Sequence, residues 1–182
     1  MVSFAHLAGI VSFALCQLTD FVIIAEIPSL EPSADNHNAK AYQEAKLVLD
    51  FGPDRLGHAL LLPPSLQRIL RDKQIPVESC PTSNIMTLEL SKQCSGSLLE
   101  GIRAHPQLQS WLTQCHPICI ATDDPGVFDT TATKELLLIQ KGFELTKKDL
   151  IRIVLQSMDF AFCDDTTKRR VCDRMHQEVD SV

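Results

Sequence analysis

The stretch Ile118-Cys119-Ile120-Ala121-Thr122-Asp123-Asp124-Pro125-Gly126-Val127-Phe128 carries the strongest structural signal in this 182-residue chain. An apolar, β-branched run ends in two adjacent carboxylates, and a Pro-Gly pair follows them at once. Such a run predicts a buried strand with a turn directly after it. Two neighbouring carboxylates repel each other unless a cation or a proton lies nearby, so the strand end predicts a functional site. In the simpler alternative, one aspartate caps the next helix and solvent surrounds the other.

On both sides of this stretch, short apolar runs alternate with helical patterns. Besides the strand that begins at 118, strands are predicted at 20–27, 55–62 and 75–80. Helices are predicted at 39–51, 132–142 and 166–179, and others begin near Ser65, Pro106 and the capping-box pattern Thr146-x-x-Asp149. This alternation is typical of βαβ units and a parallel sheet.

Polar side chains lie at or near the carboxyl ends of these predicted strands. They are Glu26, His58, the predicted Pro81-Thr82-Ser83-Asn84 turn, and Asp123 with Asp124. In a (β/α)8 barrel the chemistry lies on that face of the sheet. The predicted fold class is therefore α/β, with part of a (β/α)8 barrel.

Composition limits the class of protein. An apolar fraction of 45% in 182 residues suffices for the core of one domain. A net charge of −6 and an aromatic content of 5% argue against nucleic acid as a partner. The seven cysteines are odd in number and scattered, without a Cys-x-x-Cys pair, which favours reduced thiols and a cytoplasmic location.

Residues 1–22 form an atypical apolar N-terminal segment, and the domain is expected to occupy residues 23–182. A signal peptide normally starts with basic residues, which this segment lacks. Gln17, Thr19 and Asp20 interrupt the apolar run, so no membrane span is expected. The alternatives are a targeting segment, a buried element, or a stretch foreign to the native fold.

Each polar candidate has a functional and a structural interpretation. Glu26 lies among apolar residues, which would raise its pKa and suit a general acid or base; otherwise it reaches solvent at a strand end. His58 is either a site residue or a buried histidine bonded to a backbone carbonyl. Ser83 and Asn84 either bind a ligand or only form a turn. The histidines interpreted as structural or solvated are His37, His105, His116 and His176. Asp164 and Asp165 are expected to cap the last helix.

Four segments occur in the order found in the adenosine/AMP deaminase family. They are Ala25-Glu26-Ile27-Pro28, Asp54-Arg55-Leu56-Gly57-His58, Cys80-Pro81-Thr82-Ser83-Asn84 and Thr122-Asp123-Asp124-Pro125, and His105-Pro106 resembles the lead-in to the last catalytic strand. The Ala-Glu-Ile-Pro motif and Gly126-Val127-Phe128 are most similar to the adenosine deaminase-like branch, which acts on N6-substituted adenine nucleotides. The resemblance covers roughly residues 22 to 175.

The resemblance implies a (β/α)8 barrel with zinc at its carboxyl face. Asp123 would be a zinc ligand, and Asp124 would bond to a purine ring nitrogen. Glu26 would protonate the ring nitrogen beside the attacked carbon, and His58 would orient the attacking water or take its proton. In this chemistry zinc lowers the pKa of bound water, and the resulting hydroxide attacks C6 of adenine.

Three of the four expected zinc ligands are histidines that the sequence lacks. No His-x-His motif is present, and Ile23 stands where the third histidine is expected. A complete barrel needs roughly 250 residues, and this chain is shorter. By the resemblance, its strands correspond only to the C-terminal half of the barrel. Open sheet edges then predict association with a second copy. A truncated or mis-spliced product, with apolar residues replacing native barrel sequence, would explain these features.

The predicted function is hydrolytic deamination of adenosine, AMP or N6-substituted AMP, impaired in this chain. The alternative is an inactive remnant that binds purine nucleotides or serves as a partner subunit. A third possibility, a secreted deaminase, would require disulfides among the seven cysteines.

Overall fold

Four short parallel strands organise the described part of the protein. The computed structural model describes residues 24–26, 36–93 and 96–180. Within them, β1 (Ile24–Glu26), β2 (Arg55–Gly57), β3 (Val77–Ser79) and β4 (Ile118–Ile120) form one sheet in the order β1-β2-β3-β4. Each strand therefore lies beside the next one along the chain. A doubly wound sheet reverses its strand order, whereas a (β/α)8 barrel does not, so this order is that of consecutive barrel strands.

Helices connect the strands and continue beyond β4. They are α1 (Asn36–Phe51), α2 (Pro64–Asp72), α3 (Pro81–Thr87), α4 (Leu90–Gln93), α5 (Leu98–Arg103), α6 (Leu108–Thr113), α7 (Pro125–Phe128), α8 (Ala132–Phe143), α9 (Lys147–Gln156) and α10 (Asp165–Asp180), with a 3-10 turn at Ser157–Phe160. The predicted capping box is present, because Thr146 and Asp149 exchange hydrogen bonds at the start of α9. Asp164 accepts a 2.9 Å bond from the Thr167 backbone N–H, as expected of a cap for α10.

The structure corrects two local predictions. The strand predicted at 55–62 ends at Gly57, because His58, Ala59 and Leu61 have positive φ angles that interrupt an extended chain. The segment predicted as an exit turn, Pro81 to Asn84, is the first turn of helix α3. Proline suits that position, since the backbone N–H it lacks would have no partner within the helix.

The core lies between the strands and the surrounding helices. Leu56, Val77 and Ile118, one from each of three neighbouring strands, are at most 2% exposed. The helices and the 3-10 turn contribute large buried side chains, among them Leu66, Leu70, Leu108, Ile139, Leu150, Met158 and Met175. One face of each of these amphipathic helices is therefore buried in the core.

Arg55 joins the beginning of β2 to its neighbours. Its guanidinium lies 2.9 Å from the Glu78 carboxylate, donates to the Phe160 carbonyl at 3.2 Å and covers the ring of Phe162. The Arg55 side chain is only 3% exposed. The charge is therefore neutralised and bonded inside the protein, as a buried guanidinium requires.

Cysteines in the described ranges are free thiols. They are Cys80, Cys115, Cys119, Cys163 and Cys172. Burial raises the pKa of Cys119 to about 12 and also raises that of Cys80, so both stay protonated at neutral pH. Among the described helices, none combines the length and apolar character needed to cross a membrane. The atypical segment 1–22 lies outside the described residues.

Candidate functional site

His58 and Asp123 approach each other at the carboxyl ends of β2 and β4. His58 directly follows β2, and Asp123 lies three residues beyond β4. Nε2 of His58 is 3.9 Å from Oδ2 of Asp123. Both residues have positive φ angles, 54° and 57°, which non-glycine residues adopt at a cost. The two strand ends are therefore held in uncommon backbone conformations that direct these side chains towards each other.

The first turn of α3 lies between these two residues. Ser83 Oγ donates a 2.7 Å hydrogen bond to Oδ2 of Asp123. The Oδ1 end of the Asn84 amide lies 2.8 Å from Nδ1 of His58. Ser83 is 4% exposed and Asn84 is 1% exposed. The sequence left a ligand-binding and a turn interpretation open for these residues. In the structure Ser83 contacts Asp123, and Asn84 contacts His58.

A buried carboxylate fixes the start of α3. The Thr82 backbone N–H donates to Glu135 Oε2 at 2.9 Å, and the Thr130 hydroxyl donates to the other oxygen. Glu135, in α8, is 0% exposed. A negative charge beside a helix N-terminus is favourable, so Glu135 links α8 to the turn that carries Ser83 and Asn84. Sequence reasoning missed Glu135, although a glutamate beside the apolar positions of a predicted helix is a detectable signal.

His105 contacts Asn84 from the opposite side to His58. Its Nε2 lies 3.1 Å from the Asn84 amide, and its Nδ1 accepts backbone hydrogen bonds from Leu108 at 3.0 Å and Gln107 at 3.3 Å. Burial lowers the pKa of His105 to about 4, so the ring is neutral near pH 7. The sequence predicts a structural or solvated role for His105. The prediction does not include the contact of His105 with Asn84, which links it to the site.

Asp124 and Glu26, the other two sequence candidates, lie at the same edge of the sheet. Asp124 is exposed and occupies the N-cap position of α7, but its side chain makes no capping hydrogen bond. The capping alternative is therefore wrong for Asp124. Glu26 ends β1, with its Cα in register with Gly57, the residue before His58. All four candidates thus fall at strand ends on one edge.

The described residues do not by themselves fit a catalytic zinc ion. No three histidine, cysteine, aspartate or glutamate side chains within these ranges come together as a metal-binding group. Asp123 offers a carboxylate, and its Oδ2 already accepts from Ser83. Catalytic zinc normally has three protein ligands, so the geometry here provides less than the ion needs.

The chain is similar to known proteins in sequence and in fold. The sequence model of the family described as adenosine deaminase matches residues 38–178. The adenosine deaminase-like protein of Drosophila melanogaster is 33% identical over 137 residues, which are 75% of this chain and 38% of that protein. The N6-methyl-AMP deaminase of Bos taurus is 32% identical over 133 residues, covering 69% of this chain and 34% of that protein.

A solved structure shares the fold. Arabidopsis ADAL complexed with GMP superposes with a TM-score of 0.67 at 29% identity, over 75% of this chain and 37% of that one. The chain thus spans under two fifths of the length of these relatives. The family match includes His58, Asp123 and Asp124, and Glu26 precedes it. The match over residues 38–178, together with the strand order, shows that the chain belongs to the adenosine deaminase family.

Proposed function

We propose that this chain forms part of the site of a hydrolytic deaminase for adenine nucleosides or nucleotides. In that reaction the oxygen of water bonds to C6 of the purine, the C6–N6 bond breaks, and the amine leaves with a proton. The observation that carries the proposal is the network of Ser83, Asn84, His58 and Asp123 at the carboxyl ends of parallel strands. That is where this fold carries out its chemistry.

An adenine nucleotide with a methylated N6 amine is the favoured substrate. The support is similarity to relatives named N6-methyl-AMP deaminase, and to a solved relative that holds GMP. Both point to a purine with a 5′-phosphate as the ligand class. The leaving group from such a substrate would be methylamine.

Each candidate residue has a proposed role. Asp124, exposed and free of a capping bond, would form a hydrogen bond with a purine ring nitrogen. Glu26 would protonate the ring nitrogen next to C6 as water adds there, and His58 would orient that water. Asp123 is the residue we assign as a zinc ligand. Catalytic zinc normally has three protein ligands, and among the described residues Asp123 is the one we assign to it, so we expect slow turnover by this chain.

The test is an assay of the purified chain with N6-methyl-AMP, AMP and adenosine, following release of methylamine or ammonia in the presence of zinc. We expect slow release that falls at least about tenfold in Asp123→Asn and in Asp124→Ala, since the first weakens the proposed metal ligand and the second removes the proposed purine contact. Asp129→Asn is the matched control, because Asp129 is also exposed and close in sequence. Turnover that is equal in all these variants would contradict the proposal.

A second candidate function is binding of purine nucleotides without turnover, either alone or as a subunit beside another chain. It is favoured by the lack, among the described residues, of three side chains able to hold a metal. Saturable binding of AMP that a chelator leaves unchanged, with no amine released, would support this second candidate. Binding that a chelator abolishes would contradict it.

A further inference from the structure

Three polar side chains form a continuous chain of contacts from the interior to the site. His105 contacts one end of the Asn84 amide, and the other end contacts Nδ1 of His58. Nε2 of His58 then faces Asp123 Oδ2 at 3.9 Å. His105 is 4% exposed and Asn84 is 1% exposed, so bulk water does not compete for these bonds. Which atom donates and which accepts in each contact is therefore decided by the hydrogen bonds that these side chains make within the protein.

The backbone contacts of His105 determine which of its ring nitrogens carries the proton. Nδ1 of His105 accepts from two backbone N–H groups, of Gln107 and Leu108, and so cannot carry a proton. A neutral imidazole carries one proton, which must then be on Nε2. Nε2 of His105 is therefore a donor and needs an acceptor in front of it.

The acceptor in front of it is Asn84. With Nδ2 towards His105, the Asn84 amide would place two donors 3.1 Å apart. Rotating the amide by 180° exchanges oxygen and nitrogen in nearly the same positions, and the hydrogen-bond network decides between the two orientations. After rotation the amide oxygen accepts from His105, and the amide nitrogen donates to Nδ1 of His58 across the 2.8 Å contact.

We propose that His105 and Asn84 are positioning residues that hold His58 in the tautomer protonated at Nε2. Nδ1 of His58 accepts from Asn84, so the single ring proton lies on Nε2 and is directed at Asp123. The assignment of this tautomer depends only on the hydrogen-bond geometry. Its consequence for catalysis rests on the proposed function. In that reaction His58 would orient the attacking water by donating a hydrogen bond to its oxygen.

Asn84→Asp is the most informative variant, because a carboxylate has the same shape and can only accept. The new carboxylate would accept a hydrogen bond from Nε2 of His105, as the amide oxygen does in the wild-type chain. Its other oxygen would draw a proton onto Nδ1 of His58. His105→Gln should weaken the preference, since a glutamine amide can present either a donor or an acceptor to Asn84. His116→Gln is the matched control: His116 is also buried, but its Nε2 contacts the Ile75 carbonyl.

The experiment is a long-range 1H–15N correlation spectrum of the full chain, labelled at histidine nitrogens and kept metal-free with a chelator at pH 7.5. We expect His58 to show a protonated Nε2 and a bare Nδ1 in the wild-type chain and in His116→Gln. We expect the Nδ1 signal to shift to that of a protonated nitrogen in Asn84→Asp. A backbone amide spectrum identifies any variant that fails to fold, and the wild-type spectrum alone still decides the tautomer.

A wild-type His58 that is protonated at Nδ1, or that averages between tautomers, would overturn the proposal. So would a folded Asn84→Asp chain in which the His58 signals do not move. Failure of the proposed function is a separate result: a chain with the Nε2–H tautomer and no effect of Asp123→Asn or Asp124→Ala on amine release would refute deamination and leave the positioning role intact.

Discussion

Backbone strain at single residues accompanies the site. His58 and Asp123 have φ angles of 54° and 57°, and Ala59 and Leu61, close to His58, are also positive. Left-handed conformations of this kind persist only where the surroundings hold them in place. Here the His58 backbone N–H donates to the Glu78 carbonyl at 2.9 Å, and Gln107 Oε1 accepts from Leu61 N–H at 2.9 Å. These bonds keep the loop after β2 in the shape that directs His58 at Asp123.

Because of the strain at position 58, we expect glycine to be more stable there than alanine, the reverse of the usual order. His58→Ala and His58→Gly both remove the imidazole and its contacts, but only glycine adopts φ 54° without a steric cost. We expect the glycine variant to be more stable than the alanine variant by about 1 kcal/mol in urea unfolding. If alanine proves more stable, the positive φ at this position is not strained.

Burial of His105 predicts a pH dependence of stability. Its pKa is about 4 in the folded chain against an ordinary value of 6.5, because burial disfavours the charged ring. Between these values the unfolded chain binds more protons, so the free energy of unfolding falls as the pH drops from about 6.5 to 4, by up to ~3 kcal/mol. The pKa of His116, also lowered by burial, acts in the same direction.

Urea unfolding at pH 7.5, 5.5 and 4.5 measures this effect. We expect His105→Gln to be less stable than wild type at pH 7.5 but to lose less stability on acidification. An equal loss in both chains would show that His105 does not supply the predicted contribution.

The sequence singled out residues that the structure places close together, but it did not reveal their contacts. Polar residues after apolar runs are visible in the sequence, and this sufficed to select His58, Asp123 and Asp124. The contacts of Asn84 with His58 and His105 span 26 and 21 residues, and those of Glu135 with Thr82 span 53. Contacts over such separations depend on how elements pack, which local patterns do not encode.

Among the elements, α3 shows why composition alone misleads. Pro-Thr-Ser-Asn is typical of a turn, yet these residues begin a helix. Proline also suits a first helical turn, so local chemistry permits both structures. Glu135 and the contacts with His58 and Asp123 favour the helix, and they come from three other parts of the fold.

The packing of α8 against α5 depends on a glycine. A Cβ added at Gly142 would lie 2.4 Å from Cγ2 of Ile102. Alanine improves helix propensity by about 1 kcal/mol, but overpacking costs roughly 1–3 kcal/mol, so we expect Gly142→Ala to lower stability by about 1 kcal/mol. Urea unfolding measures the change. Gly126→Ala is the control, because no atom lies within 4 Å of a Cβ at that position. Equal effects of the two substitutions would contradict the close approach of the helices.

For the whole molecule, the order of strands was the most predictable feature. Apolar runs separated by helical patterns predict a parallel sheet, and the structure confirms four neighbouring strands in sequence order within the described residues. The length of β2 was overestimated, because the residues after it leave the extended conformation. Association through open sheet edges stays a prediction, as does the division of the chain at residue 22.

The central claim is that the residues at the carboxyl edge of the sheet form a purine-nucleotide site, and titration of the 15N-labelled chain with AMP tests it directly. We predict saturable shifts in the backbone amides of Ser83, Asn84, Asp123 and Asp124, weakened in Asp124→Ala and unchanged in the control Asp129→Ala. A folded chain whose amides at this edge do not respond to millimolar AMP, or respond only elsewhere, would contradict the claim.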